Sequence, residues 1–251
     1  FNVGNDVEAR DARTQVLNAF FKAGGRVIDS SPMYGSSEEV VGYGLEKLGF
    51  PNSLFSATKV WTSGKADGQD QIQRSFDLWR IKKFELLQIH NLVDWETHIE
   101  TLQAMKAEGK VRYIGVTTSH GRRHGELEQI MTTQPIDFVQ LTYNIDDRAV
   151  ESRLLPLAKE RGLAVIANRP FQRGGLFRRI GNTPLPDWAG EAHCANWPEF
   201  FLKFIVSHPA LTCAIPATTK VAHMKQNMAV LTGSLPDTDM RKKMSTYFES
   251  L

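Results

Sequence analysis

Cysteine is scarce in this chain, with only Cys194 and Cys213 among 251 residues. Two thiols make no disulfide framework, and their spacing fits no metal motif. A reducing, cytoplasmic setting is therefore expected. Excess charge is lacking too. Thirty Lys and Arg against 28 Asp and Glu leave a net +2, with no dense basic run. That balance argues against partners of the nucleic-acid or anionic-membrane kind, which need clustered basic charge. No apolar run reaches the ~18 residues of a membrane span. No low-complexity linker interrupts the chain. No Gly-x-Gly-x-x-Gly follows a strand-like segment, and Gly24-Gly25 precedes one instead, which disfavours an open dinucleotide-binding sheet. The first residue is Phe, so a targeting segment ahead of it is left open.

What the chain does have is a regular alternation. Seven short apolar runs read as buried strands: 26–29, 54–59, 84–90, 111–116, 138–141, 163–167 and 211–215. Helical spacing lies between them. Ser36 and Glu39 are placed as a capping box ahead of Val41, Leu45 and Leu48. Ile72, Phe76 and Trp79 share one face, and Gly109 and Gly162 stand as helix stops. Met224, Met228 and Leu231 mark a late helix, ahead of a tail helix. Residues 174–195 lack clear periodicity and are expected to form a long lid-like loop. Strand–helix repetition implies parallel pairing with right-handed crossovers. The fold class expected is α/β, a (β/α)8 TIM barrel, with seven of eight strands visible. The length matches the ~250 residues of such a barrel, so 1–251 reads as one domain.

Polar residues close the strands. Asp29 ends the first, Lys59 the second and His90 the third. In a (β/α)8 barrel these C-terminal ends share one rim, where active sites are built. Tyr34 follows Asp29 by one short loop. A phenol is a weak acid, with a pKa of about 10, and a nearby ammonium favours its ionised form. Lys59 is placed to be that ammonium, with Asp29 to hold it. Tyr34 would then give a proton to a carbonyl oxygen as hydride reaches the carbon, and His90 would donate a second hydrogen bond to that oxygen. Each residue alone also reads blandly, as a cap, a packing ring, a rim salt bridge or a structural imidazole. Their succession on consecutive strand ends is what makes them a site.

Arg26-Val27-Ile28-Asp29-Ser30-Ser31-Pro32-Met33-Tyr34-Gly35, followed by Ser37-Glu38, resembles the Asp-x4-Tyr-Gly signature of the aldo-keto reductase family. Ala57-Thr58-Lys59-Val60-Trp61 and Leu87-Gln88-Ile89-His90 resemble its lysine and histidine strands. The resemblance implies an NADP(H)-dependent oxidoreductase, with NAD(H) as the second cofactor, that reduces aldehydes or ketones. It implies Tyr34 as general acid, tuned by Lys59 and Asp29, with His90 orienting the carbonyl. Gln140, in Val139-Gln140-Leu141-Thr142-Tyr143-Asn144, matches a contact to the nicotinamide amide. Pro216, Thr218, Thr219, Lys220 and His223, then Asn227, match the segment around the adenosine phosphate and adenine, and Gly174 the loop along the pyrophosphate. Met33, Trp61 and Trp95 are the substrate-side candidates, with Trp188 and Trp197 flanking the long loop. The chain departs from the family pattern at three points. Thr117-Thr118 stands where Ser-Asn is usual, Asn168 where an aromatic stacks, and His223 where an arginine grips the 2′-phosphate. A neutral imidazole is the weaker phosphate partner. The resemblance places the family's N-terminal hairpin and first barrel strand ahead of Phe1.

A small-molecule carbonyl is the expected partner, no metal is expected, and a monomer is the expected state. The other reading from the same family is a nucleotide-bound regulatory or redox-sensing subunit with little turnover, as in channel β subunits. A third, an unrelated barrel enzyme with Lys59 as Schiff-base former, is disfavoured by the spacing to Tyr34.

Overall fold

The computed structural model describes residues 1–251. Its first half runs α1 (Val7–Lys22), β1 (Val27–Asp29), α2 (Ser37–Lys47), β2 (Phe55–Val60), α3 (Lys65–Trp79), β3 (Phe84–Ile89), α4 (Trp95–Ala107) and β4 (Val111–Thr117). Then follow α5 (His124–Thr133), β5 (Phe138–Thr142), α6 (Leu154–Arg161), β6 (Ala164–Asn168), α7 (Gly175–Ile180), α8 (Trp197–Val206), β7 (Cys213–Ala214), α9 (Val221–Ala229) and α10 (Thr238–Glu249). The strands follow one another as β1-β2-β3-β4-β5-β6-β7. Pairing is parallel at β1–β2, β2–β3, β3–β4 and β6–β7. All seven predicted strands are present, within two residues at most of the predicted edges.

The chain divides into two compact units. The first holds residues 1–117, 136–138 and 218–225; the second holds 118–135, 139–217 and 226–251. In the first unit, Val16, Val40, Leu45, Ile72, Trp79, Phe84, Leu86 and Leu102 are fully enclosed. Strand β2 is buried along five of its six residues, so its polar members Ser56, Thr58 and Lys59 must find partners inside. Helices α2 and α3 approach very closely: a Cβ on Gly42 would sit 1.9 Å from the Leu78 carbonyl oxygen, so only glycine fits there.

In the second unit, α8 carries apolar side chains on nearly every face, as a buried helix should. Its Lys203 is also enclosed, donating to the carbonyls of Ala192, His193, Thr232 and Ser234 at 3.0–3.4 Å.

Three expectations change. Ser36 and Glu39 do not form a capping box. The Ser36 side chain makes no cap bond to α2; its Oγ instead accepts from the amides of Val3 and Gly4, at 3.0 and 2.8 Å, and Glu39 pairs with Arg10. The 174–195 stretch is not an open loop, because it contains α7 and a 3-10 turn over Asp187–Ala192. Trp188 and Trp197 pack on Phe200 and Tyr247 within the second unit. Leu231 lies outside α9 and is exposed. No helix is long and apolar enough to cross a membrane.

Candidate active site

Three strand ends in the first unit build the site. Parallel register sets Lys59 opposite Gln88 on the neighbouring strand. Lys59 Nζ donates to Asp29 Oδ2 at 2.5 Å and to the Ser30 carbonyl at 2.7 Å. Gln88 Nε2 donates to the other oxygen, Asp29 Oδ1, at 2.9 Å. The lysine and aspartate side chains are 0% and 2% exposed. An ion pair this deep is costly to desolvate and tolerable only with further hydrogen bonds, which Gln88 and Ser30 supply.

The loop after β1 delivers Tyr34. Ser31 caps a short 3-10 turn over Pro32–Tyr34, with Pro32 in its first turn. Gly35 then turns the chain at φ 61, ψ −125, a conformation open almost only to glycine. The Asn2 side chain also fills the space a Cβ would need there, 2.5 Å from its ideal position. Asn2 Oδ1 accepts from the Ser36 amide at 3.1 Å, tying the loop to the first residues. Lys59 Nζ consequently lies 5.3 Å from the Tyr34 ring centre. The His90 ring meets Tyr34 edge-on at 5.7 Å, and the Trp61 ring lies 6.4 Å from His90.

His90 is 5% exposed. Burial, then the nearby charge of Lys59, pushes its pKa down from 6.5 to about 3. It is a neutral imidazole at ordinary pH, and its Nδ1 lies 2.8 Å from Ser31 Oγ.

Around this buried centre the surface is apolar. Met33, Tyr34 and Trp61 are 45%, 40% and 40% exposed, large for such side chains. Gln71 fixes the Trp61 backbone, accepting from its amide at 2.5 Å and donating to its carbonyl at 3.0 Å. His98 Nε2 donates to the Thr62 carbonyl at 2.7 Å, and Asp94 accepts from the Gly64 amide at 2.7 Å. Trp95 opens α4, partly buried. Thr117 Oγ1 accepts from the Asn91 amide at 3.0 Å, so this buried hydroxyl steadies the turn after His90. Thr218 Oγ1 accepts from the Lys220 amide at 3.2 Å, and Thr219, Lys220 and His223 are exposed.

The second unit holds the other predicted residues. Gln140 is buried in β5, where its carbonyl accepts from the Thr118 amide at 2.9 Å. Asn168 does not project as a stacking platform. Its Oδ1 accepts from Thr142 Oγ1 and its Nδ2 donates to the Thr118 carbonyl, both at 2.8 Å. Gly174 sits at φ 84 ahead of α7. Asn227, buried, lies 3.5 Å from the Pro216 carbonyl.

Sequence reasoning passed over several of these groups. Gln88 was readable, since it lies two residues before His90 on a strand and so faces the same side. Ser31 was not, because its partner is 59 residues away. Arg169 and Arg173 follow β6, where Arg169 donates to His120 Nε2. Burial, then the charges of Arg169, Arg122 and Arg173, lower the pKa of His120.

The aldo/keto reductase family model matches residues 2–245. Methylglyoxal reductase YeaE of Escherichia coli (strain K12) is 26% identical over 95% of this chain and 85% of its own. An NADH-specific methylglyoxal reductase of the same strain is 24% identical, over 87% and 82%. An aldo/keto reductase from Klebsiella pneumoniae, solved with NADP and acetate, superposes at a TM-score of 0.82 with 23% identity, covering 99% and 89%. The chain belongs to the aldo/keto reductase family, and its seven parallel strands are those of that family's (β/α)8-barrel fold.

Proposed function

We propose that this chain is an NADP(H)-dependent oxidoreductase that reduces small aldehydes or ketones to alcohols, with residues 1–251 acting as one catalytic domain. The observation that carries the reading is the buried Lys59–Asp29 pair, braced by Gln88, beneath the Tyr34 ring and beside a neutral His90. When bound, the nicotinamide cofactor supplies the hydride. Tyr34 gives its phenolic proton to the carbonyl oxygen as negative charge develops there. His90 donates a hydrogen bond to the same oxygen, orienting it and sharing that charge. Lys59, held in place by Asp29 and Ser30, keeps a positive charge near the phenol and steadies the phenolate left behind. Met33, Trp61 and Trp95 form the apolar walls that receive the rest of the substrate. Methylglyoxal, named for two relatives, is a small dicarbonyl and a first substrate to try.

The donor set fits a dinucleotide. In the first unit, Thr117 lies beside the turn after His90, and Thr218, Thr219, Lys220 and His223 offer hydroxyls, a cation and an imidazole to a phosphate. In the second unit, Gln140 would offer an amide to the carboxamide, and Pro216 and Asn227 would hold the adenine. Arg169 and Arg173 bring positive charge beside Gly174, whose bare backbone admits a close approach. His223 in place of arginine argues for weaker discrimination, so NAD(H) is the second cofactor. One relative is named NADH-specific.

A carbonyl panel with NADPH, run on the wild type and on Tyr34→Phe, tests the reading. The variant should lose about 10²–10⁴-fold in turnover, while NADPH and NADH binding, followed by quenching of protein fluorescence, stays within about twofold. Unchanged turnover in Tyr34→Phe would remove the tyrosine from the chemistry.

A further inference from the structure

We infer that Ser31 is a positioning residue that selects the tautomer of His90, through a hydroxyl held between the Met33 amide and His90 Nδ1. The inference rests on the reading of His90 as hydrogen-bond donor to a substrate carbonyl, and it explains how that donor comes to be available. Ser31 belongs to the loop after β1, whereas His90 stands at the end of β3. Both are buried, at 0% and 5% exposure. Ser31 Oγ lies 2.8 Å from His90 Nδ1 and accepts from the Met33 amide at 3.2 Å.

Hydrogen counting decides the direction. A hydroxyl has one hydrogen and two acceptor sites. The Met33 amide occupies one acceptor site. If His90 carried its hydrogen on Nδ1, Ser31 would accept twice, and its own hydrogen would have no acceptor in a fully enclosed place. Buried donors without partners are strongly disfavoured. If the hydrogen sits on Nε2, Ser31 donates to Nδ1 and every group is used. Because His90 is neutral, only one ring nitrogen carries hydrogen. Ser31 therefore leaves the Nε2–H for the substrate oxygen. With the other tautomer, Nε2 would present a lone pair to that oxygen and oppose its developing charge.

Ser31 also holds the other reacting group. Its carbonyl accepts from the Tyr34 amide at 2.9 Å. One residue thus ties the proton donor by its main chain and the imidazole by its side chain.

The test is long-range proton–nitrogen correlation NMR on the full chain labelled with 15N-histidine, with His90 assigned by difference from His90→Gln. The wild type should show Nε2 protonated and Nδ1 unprotonated. Ser31→Ala should populate the other tautomer and lower the kcat for carbonyl reduction by about tenfold, with the NADPH Kd within twofold. Ser31→Thr, which keeps the hydroxyl, should restore both signals. A wild-type spectrum with Nδ1 protonated would overturn the inference, and that measurement needs no variant to fold. So would a Ser31→Ala protein whose tautomer and kcat match the wild type. A tautomer that shifts in Ser31→Ala while no carbonyl is turned over by the wild type supports the role of Ser31 and refutes the reductase reading instead.

Discussion

His90 carries no charge at physiological pH, and this separates it from an ordinary surface histidine. Its pKa is near 3 because the ring is buried and Lys59 stands close. Carbonyl reduction should therefore show no loss with an apparent pKa near 6.5 as pH falls from 8 to 5. A limb at that pH, abolished in His90→Gln, would contradict the neutral donor. Stability follows the same shift. The unfolded chain binds a proton on this histidine below about pH 6.5, whereas the folded chain resists until about 3. The contribution of His90 to folding stability is thus fully present above pH 6.5 and is lost as pH falls from there toward about 3. Asp29, Lys59 and His90 were legible in the sequence because strand position alone places them on one rim, and Tyr34 because one short loop joins it to Asp29. Their supports were less so. Gln88 shares the strand face of His90 and can be picked out from that spacing, but its partner Asp29 cannot, and Ser31 shows its role only when the first loop meets the end of the third strand.

At the scale of elements, Glu38 joins α2 to β2 and α3. It is 2% exposed. Its carboxylate accepts from Thr58 Oγ1 at 2.5 Å, and from Trp79 Nε1 and Ser75 Oγ at 3.1 Å each. Burial raises its pKa, opposed by those three hydrogen bonds and by the charge of Lys59. A raised folded-state pKa means that stability is fully present below the unfolded value of about 4.3 and declines as pH rises through the folded value. Glu38→Gln should remove that decline. Its carbonyl oxygen can still accept from Thr58 and Trp79. Its amide can donate to Ser75 Oγ, whose hydrogen then turns to the Gln71 carbonyl 3.3 Å away. Denaturant midpoints at pH 7 should be equal to or above wild type. Glu38→Leu should cost about 3 kcal/mol, because it strands two buried donors, Thr58 Oγ1 and Trp79 Nε1, at roughly 1–3 kcal/mol each. A Glu38→Gln protein as unstable as Glu38→Leu would show that the charge itself holds these elements together. Composition and spacing made the strands and most helices readable, since buried strands are short apolar runs. They misread the start of α2, because Ser36 is claimed by Val3 and Gly4 rather than by its own helix.

For the whole molecule, the division into two units sets a test of its own. The chain passes between them at 117/118, 135/136, 138/139, 217/218 and 225/226. A segment as short as residues 136–138 belongs to the first unit although both its flanks belong to the second. Each unit is assembled from three separate stretches of sequence, and a single catalytic domain, as proposed, requires the two to unfold together. Thermal unfolding should accordingly be one cooperative transition, with calorimetric and van 't Hoff enthalpies equal and far-UV and tryptophan signals coincident. The proposed cofactor gives the test a second readout. NADPH at 100 times its Kd adds about 2.7 kcal/mol to a folded state that alone binds it. For a chain of this length that corresponds to a rise in Tm of roughly 5–11 °C. The entire transition should move by that amount and stay single. Two resolved steps, or a shift confined to one of them, would separate the units energetically and refute the single catalytic domain.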